Sequence, residues 1–447
     1  MGKNWMLIVF LLSIATCALN NGSSPPGATT SEVENPGQHQ DIAPVLQTAV
    51  DTARDGDTLL LPAGEFVLDQ RVVIRKFISI KGKGRGVGGT KLYRRENVAD
   101  SVLSGSAWRQ MFYFNSQSDA SSNIVVSDIY FKGKHPSISS GDGGSIAQDN
   151  AIRIDNFKDF VITNCRFEHF GASAIRVRHQ DHLTGGLIFN NEFIHNYKKG
   201  VDLGYGVSVY GHNDQWTDDP QFGSGNFIFI EDNYFVGHRH AVAGGGAARY
   251  VFRRNVVADN LHSHAVDAHE ARGGTISQSP GYFSTRAYEI YDNSIYNTKF
   301  KDGTPFIDGS AKEPYNRLVR TAIGLRGGEG LVYNNKIEGF RFGIELFVIP
   351  HFPGDDSYPV SYQIGYQSGK QLGSRHWGAQ LPEGAGDLFI WGNTFISFKA
   401  DDPGFAPFYT AYERLDRLKK DRDYHRGAPK PGYSPYTYPH PLRSLYQ

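Results

Sequence analysis

One unit recurs along this chain and constrains its fold more than any other feature. FVITNCRFEHF (160–170), LIFNNEFIHN (187–196), FIFIEDNYFVGH (227–238), YVFRRNVVADN (250–260), YEIYDNSIYN (288–297), GLVYNNKIEGF (330–340) and LFIWGNTFISF (388–398) are variants of it. Each reads as a strand, a tight turn carrying Asn, and a second apolar strand. Aligned, one position holds Cys165, Asn191, Asn233, Asn255, Asn293, Asn335 and Asn393. The shortest interval, Asn233 to Asn255, is 22 residues, about one coil of a solenoid. Longer intervals then hold loops inserted into coils. In such a solenoid each coil offers apolar residues to a shared interior and pairs its strands with the coils above and below. Asn accepts the left-handed conformation of a tight turn, and stacked Asn amides hydrogen-bond along a ladder. No regular four-strand blade period marks a propeller.

Composition agrees, with 51 Gly and 13% aromatic residues in 447, as suits a β-rich chain with many turns. From Asp41 to Arg54, Ile42, Val45, Leu46, Ala49 and Ala53 have helical spacing, with Asp41 as N-cap. Short strands are expected next at Thr58–Leu61, Phe66–Leu68, Val72–Ile74 and Ile78–Ile80. This helix followed by GDT-LLLPAGEF and ISIKGKG resembles the opening of secreted right-handed parallel β-helix proteins, the pectate-lyase-like superfamily of carbohydrate-active proteins. The predicted fold class is therefore all-β, a single-stranded right-handed parallel β-helix with an N-terminal capping helix and inserted loops. The expected organisation is a leader (1–19), a flexible tether (20–40), the β-helix (41–400, with an inserted loop at 349–386) and a C-terminal cap or tail (401–447). Within the tail, YTAYERLDRLKKDRDYH (409–425) reads as a helix.

Lys+Arg and Asp+Glu are both 46, so the formal net charge is zero. With no long basic run, nucleic acid is not an expected partner, and an anionic ligand would need a local basic patch. MGKNWMLIVFLLSIATCALN places Lys3 before an apolar run from Trp5 to Ala15. The run is too short for a permanent span and reads as an export signal. Ile14-Ala15-Thr16-Cys17 resembles the lipobox of bacterial lipoproteins, with Thr16 where that family carries Gly, Ala or Ser. The resemblance implies lipidation of Cys17 and a membrane anchor at the cell envelope. Ordinary cleavage, giving a secreted protein, is the alternative. NGSSPPGATTSEVENPGQ (21–38) is polar and rich in Gly, Ser and Pro, as a tether should be. Cys165 is the one other cysteine, so no disulfide is expected within the exported chain. A monomer is expected.

A further strand follows each Asn turn: SAIRVRH (173–179), KGVDLGY (199–205), HAVAGGG (240–246), HAVDAHE (264–270), TAIGLRG (321–327) and FGIELFV (342–348). Taking Ile175, Val201, Val242, Val266, Ile323 and Ile344 as the inward column sends the next residue outward. That column reads Arg176, Asp202, Ala243, Asp267, Gly324 and Glu345, and the outward column beyond it reads Arg178, Gly204, Gly245, His269, Arg326 and Val348. The stretch HSHAVDAHEARGG (262–274) falls here. His238 and His262, and His240 and His264, are expected to stack in adjacent coils about 4.8 Å apart. The catalytic candidates are His240, His264, Asp267 and His269. The substrate-binding candidates are Arg176, Arg178, Asp202, Tyr205, His238, Arg239, Glu270, Arg272 and Arg326. Polar residues on a solvated solenoid face are ordinary, but this convergence of imidazoles, arginines and carboxylates points to a site. Imidazoles and carboxylates are also zinc ligands. No HExxH occurs, so a metal stays open beside a plain His ladder. Asp218-Asp219 and Asp355-Asp356 are calcium candidates, or simply solvated pairs.

Val266-Asp267-Ala268-His269-Glu270 resembles the D-P-H-D segment of mannuronan C5-epimerases, which are also right-handed β-helices. Asp267 and His269 match its first Asp and its His, while Ala268 and Glu270 replace Pro and the last Asp. The resemblance implies that His269 takes part in proton transfer at C5 of a uronic acid. That chemistry needs a base, here His269 or His264, and a cation on the substrate carboxylate, here Arg272, Arg239, Arg176 or Arg326. Expulsion of the 4-O-linked sugar makes a polysaccharide lyase, and reprotonation from the opposite face makes an epimerase. A β-helix glycoside hydrolase would need paired carboxylates, with Asp202 and Asp267 the candidates. The tandem Asp-Asp signature of polygalacturonase-like hydrolases does not appear on these strands. A third reading is a non-catalytic surface glycan binder. The expected partner in every case is a polysaccharide.

Overall fold

The structure, a computed structural model, describes residues 27–99, 109–116, 122–134, 149–178, 185–197, 203–211, 219–262, 264–269, 285–301, 304–305, 317–347, 388–396, 398, 406–411, 420–421 and 424–446. They form a right-handed parallel β-helix of three sheets. A typical coil runs Phe160–Thr163, Arg166–Glu168 and Ser173–Arg178, one strand in each sheet. The first sheet has twelve strands, from Thr30–Glu32 to Tyr424–Arg426. The second has ten, from Gly64–Val67 to Thr394–Ile396, and the third has ten, from Val72–Ile74 to Ala406–Ala411.

Alternation along each strand builds the interior. Ile152, Ile175, Val207, Val242, Val266, Ile323 and Ile344 form one fully buried column of the third sheet. Phe131, Phe167, Phe193 and Phe235 stack in the second, with ring centroids 5.2, 5.0 and 4.5 Å apart. Burying each such side chain stabilises the fold by roughly 1.5–3 kcal/mol.

The turn between the first and second sheets carries the Asn ladder. The Asn191 amide donates to Asn233 Oδ1 (3.0 Å), Asn233 to Asn255 (3.1 Å), and Asn255 to Asn293 (3.2 Å). Asn293 donates to Asn335 (2.8 Å) and Asn335 to Asn393 (2.9 Å). Cys165, which starts the row, donates its backbone N–H to Asn191 Oδ1 (3.0 Å). The ladder residues do not themselves take the left-handed conformation. It falls on the residue before each: Asn164, Asn190, Asp232, Arg254, Asp292, Asn334 and Gly392, with φ of 49 to 63°. The reason is division of labour. One residue turns the chain, and the next points its amide inward to satisfy buried backbone groups.

Helix Ala43–Thr52 caps the first coils, burying Leu46 and Val50. It is shorter than the expected 41–54. Its N-cap position is Ile42, and Asp41 serves from one residue earlier by accepting the Ala43 N–H at 2.9 Å. Part of the expected tether also folds: Thr30–Glu32 pairs with Thr58–Leu60, and Val33 is buried.

The expected C-terminal helix begins and ends as strands, Ala406–Ala411 and Tyr424–Arg426, because open sheet edges were there to be paired. Residues 412–419 lie outside the described residues. Beyond Arg426 the tail runs along the outer face of the first sheet. Tyr433, Tyr436, Leu442, Leu445 and Tyr446 pack against an apolar row that includes Phe189, Phe229, Val251 and Tyr333. Buried Glu231 accepts from Arg253 (2.6 Å) and from Arg443 of the tail (2.6 Å).

Asn255→Ala removes one rung and leaves the Asn233 N–H, which donates to its Oδ1 at 3.0 Å, unsatisfied inside the turn. A loss of about 3 kcal/mol is expected from urea unfolding, with a smaller loss for Asn393→Ala at the ladder's end. Equal midpoints for Asn255→Ala and the parent protein would contradict a structural role for the ladder.

Candidate functional site

The strands of the third sheet set the site. Register pairs Arg176 with Ser208, Ser208 with Ala243, Ala243 with Asp267, Asp267 with Gly324, and Gly324 with Glu345. The predicted outward column therefore holds at every position except Asp202. The strand expected at 199–205 is Tyr205–Tyr210, so Val207 takes the inward place expected of Val201 and Ser208 that of Asp202. In the next outward column Tyr210, not Gly204, pairs with Arg178 and Gly245, and Phe347, not Val348, stands two residues beyond Glu345 and pairs with Ala411. KGVDLGY and YGVSVY carry the same apolar alternation, and only pairing with the neighbouring coils selects the second. Asp202, Glu270, Arg272, Cys17, Asp218 and the 349–386 loop with Asp355-Asp356 lie outside the described residues. Asp219 is described and accepts the Gln221 N–H at 2.9 Å in a local turn.

Asp267 is the centre of the cluster and is fully buried. Arg326 Nε and Nη2 donate to its two oxygens at 2.9 and 2.5 Å, a bidentate pair. His264 Nδ1 lies 3.6 Å from Asp267 Oδ1, and His240 Nε2 lies 3.8 Å from Oδ2. The Tyr205, His240 and His264 rings form one stack, with centroids 5.3 and 5.7 Å apart and planes within 12°. His240 Nδ1 also contacts the His264 carbonyl. His264 sits in the left-handed region at φ 62°, just before its strand. Its ring lies over Gly324, where a Cβ would come within 2.4 Å of Cδ2, so only glycine fits beneath it. From the interior, the Tyr250 hydroxyl donates to the Asp267 carbonyl at 3.1 Å.

Burial opposes ionisation of Asp267, yet Arg326 and then His240 outweigh it and hold the carboxyl well below its usual range. Burial pushes His240 well below the ordinary imidazole value despite Asp267, and His264 likewise, with Arg326 adding to the effect. Both rings are neutral near pH 7. His269 and Arg239 are half-buried, and His269 is near enough to Asp267 to interact with its charge. Arg239 donates to the Tyr205 hydroxyl at 2.8 Å, which makes Tyr205 a buried support rather than an open stacking face. His240, His264 and Asp267 bring three donor atoms within 4.8 Å of one another, the makings of a cation site. Arg326 already occupies both carboxylate oxygens and supplies the positive charge that a metal would bring, so we read the cluster as an ion pair flanked by imidazoles.

His238 does not belong to the site. It is fully buried three residues after Phe235, as Asn196 is after Phe193, and it meets the Phe193 carbonyl through Nε2 at 3.0 Å. It thus serves in the second turn, where Asn196 accepts the Phe170 N–H at 2.9 Å and Asn297 the Asn260 N–H at 2.8 Å. His262 approaches Tyr197 at 6.4 Å. Arg320, which the spacing did not single out, binds Glu345 through Nη2 at 2.6 Å. Its signal was available, since Arg320 directly precedes the strand Thr321–Leu325 beside a Glu on the outward column.

No family model matches the chain, and no curated protein sequence matches it. Similar solved structures include an alginate lyase from a Paenibacillus species, at TM-score 0.40 and 10% identity over 90% of this chain and 99% of that one. DFA-IIIase from Arthrobacter chlorophenolicus A6 in complex with GF2 gives 0.46 and 12% over 87% of each chain. The Agl-KA catalytic domain gives 0.45 and 14% over 91% of this chain and 69% of that one.

Arg326→Leu leaves the Asp267 charge buried and unpaired, and is expected to lower unfolding free energy by about 3–5 kcal/mol. Adding Asp267→Asn should restore part of it. A single variant as stable as the parent would refute the ion pair. Acid should also weaken the fold through His238, whose imidazole burial pushes down to about 4. Unfolded, it takes up its proton near 6.5, so between these values only the unfolded chain is protonated. Stability is then full above pH 6.5 and falls toward pH 4 by up to ~1.4 kcal/mol per unit. Urea midpoints across this range should fall less steeply in His238→Gln.

Proposed function

We propose that this protein is an exported, polysaccharide-active enzyme that abstracts the C5 proton of a uronic acid residue, acting as a lyase or C5-epimerase. The observation that carries the reading is the Asp267–Arg326 pair, flanked by His240 and His264 and fringed by half-buried His269 and Arg239. The proton α to a carboxylate is weakly acidic, so its removal needs a base and a positive charge at that carboxylate. His269 is the base, being the more exposed imidazole of the outward face. Arg239 holds the substrate carboxylate. Asp267, kept ionised by Arg326, favours the imidazolium that forms on His269. The C5–H electrons pass into the carboxylate. The carbanion then either expels the 4-O-linked sugar, leaving a C4–C5 double bond, or regains a proton on its opposite face. Lipidation of Cys17 would hold the enzyme at the cell envelope.

One observation favours a hydrolase as the second reading. Asp267 and Glu345 share the outward column two coils apart, about 10 Å, near the spacing of inverting glycosidases. Burial raises the Glu345 carboxyl above its usual value against the pull of Arg320, while Asp267 is lowered. That is the division an acid and a base require.

A panel of uronic-acid and neutral glycans separates these outcomes. Ultraviolet absorbance of the unsaturated product reports lyase chemistry, and solvent deuterium entering C5 without that absorbance reports epimerisation. His269→Gln is expected to lower kcat roughly 10²- to 10⁴-fold with an unchanged melting temperature, and Glu345→Gln far less. Reducing ends without absorbance, abolished by Glu345→Gln, would establish the hydrolase instead. Glycan binding without turnover would leave a binding protein.

A further inference from the structure

Toward the N-terminal coils the same face of the third sheet becomes strongly basic. Arg153 pairs in register with Tyr113 on one side and Arg176 on the other. Arg71 and Arg109 directly precede the strands Val72–Ile74 and Gln110–Asn115, and Arg178 ends the strand of Arg176. Three of these guanidiniums are held in place by aromatic rings. Arg71 and Arg153 lie 5.0 and 4.9 Å from the Tyr113 ring centroid, and Arg176 lies 4.7 Å from that of Tyr210. Asp155 accepts from Arg153 Nε at 2.9 Å and from the Tyr113 hydroxyl at 3.0 Å, fixing that pair further. Arg109, Arg153 and Arg176 are close enough that, after burial, the latter two lower the pKa of Arg109. Asp155 balances Arg153, while Arg71, Arg109, Arg176 and Arg178 place further positive charge on the same face of a chain whose net charge is zero.

We propose that this face is a platform for the distal sugars of an anionic polysaccharide, whose acidic groups are taken by Arg109 and Arg176. The substrate class rests on the uronate reading above. Arg176 stands three coils from Asp267, through Ser208 and Ala243, or about 14 Å. Only a chain several sugars long reaches both places, so the platform selects for chain length as well as charge.

The test uses oligouronates of graded length, neutral malto-oligosaccharides of the same lengths and a DNA oligonucleotide, with binding read by calorimetry at two salt concentrations. In Arg109→Gln/Arg176→Gln, affinity for long oligouronates should fall roughly tenfold or more with a shallower salt dependence, while a uronate disaccharide at the Asp267 end binds as before. Arg71→Gln, outside the strands, gives the same direction should the double variant fold poorly. Unchanged affinity of the variants for long oligouronates would overturn the platform, as would DNA binding as tightly as oligouronate. Binding that depends on the arginines without any turnover would instead sink the catalytic reading and leave the platform standing. Turnover that depends on His269 but ignores the arginines would do the reverse.

Discussion

The amide ladder from Asn191 to Asn393 is the interaction on which the rest of the structure depends. Each rung satisfies buried backbone groups of its own turn while donating to the next coil. It therefore fixes the height and register of every coil against its neighbour at once. A slip of one residue would turn each inward Ile or Val outward, and the ladder would lose its amide partners in the same step. Register in turn decides the candidate site. It puts Asp267 beside Ala243 and Gly324, whose small side chains leave room for His240 and His264 to close over the carboxylate.

Two buried charge clusters on opposite sheets serve different ends. On the first sheet, Glu231 is shared between Arg253 and Arg443, fastening the tail over an apolar row that would otherwise face water. On the third sheet, Arg326 grips Asp267 of the adjacent coil. It keeps Asp267 ionised in a dry setting beside three imidazoles. Desolvating such a pair is costly, so this polar cluster is a poor device for stability alone and a good one for orienting groups at its rim.

Much of this was legible in the sequence, for a particular reason. Parallel coils repeat the same environment, so the Asn ladder, the inward column and five of six outward positions follow from alternation alone. The errors have two causes. The offset from the Asn turn to the third-sheet strand is not constant: Asn233 precedes His240 closely, whereas Asn191 is separated from Tyr205 by a longer segment. A fixed offset therefore placed Asp202 where Ser208 stands. His238 was misplaced because a His in the second turn looks the same in sequence as a His on the groove. Its contact with the Phe193 carbonyl exists only when the coils are stacked.

By itself the sequence determined the solenoid, its ladder and the face on which Asp267, His269 and Arg326 lie, because strand alternation and an Asn-bearing turn are local properties. Only the tertiary structure decided that Arg326, 59 residues on, grips Asp267, that His240 and His264 are buried supports while His269 stays at the rim, and that the C-terminal tail covers the first sheet. Those outcomes depend on which coils become neighbours and on how much water they exclude, and both are settled when the chain closes on itself.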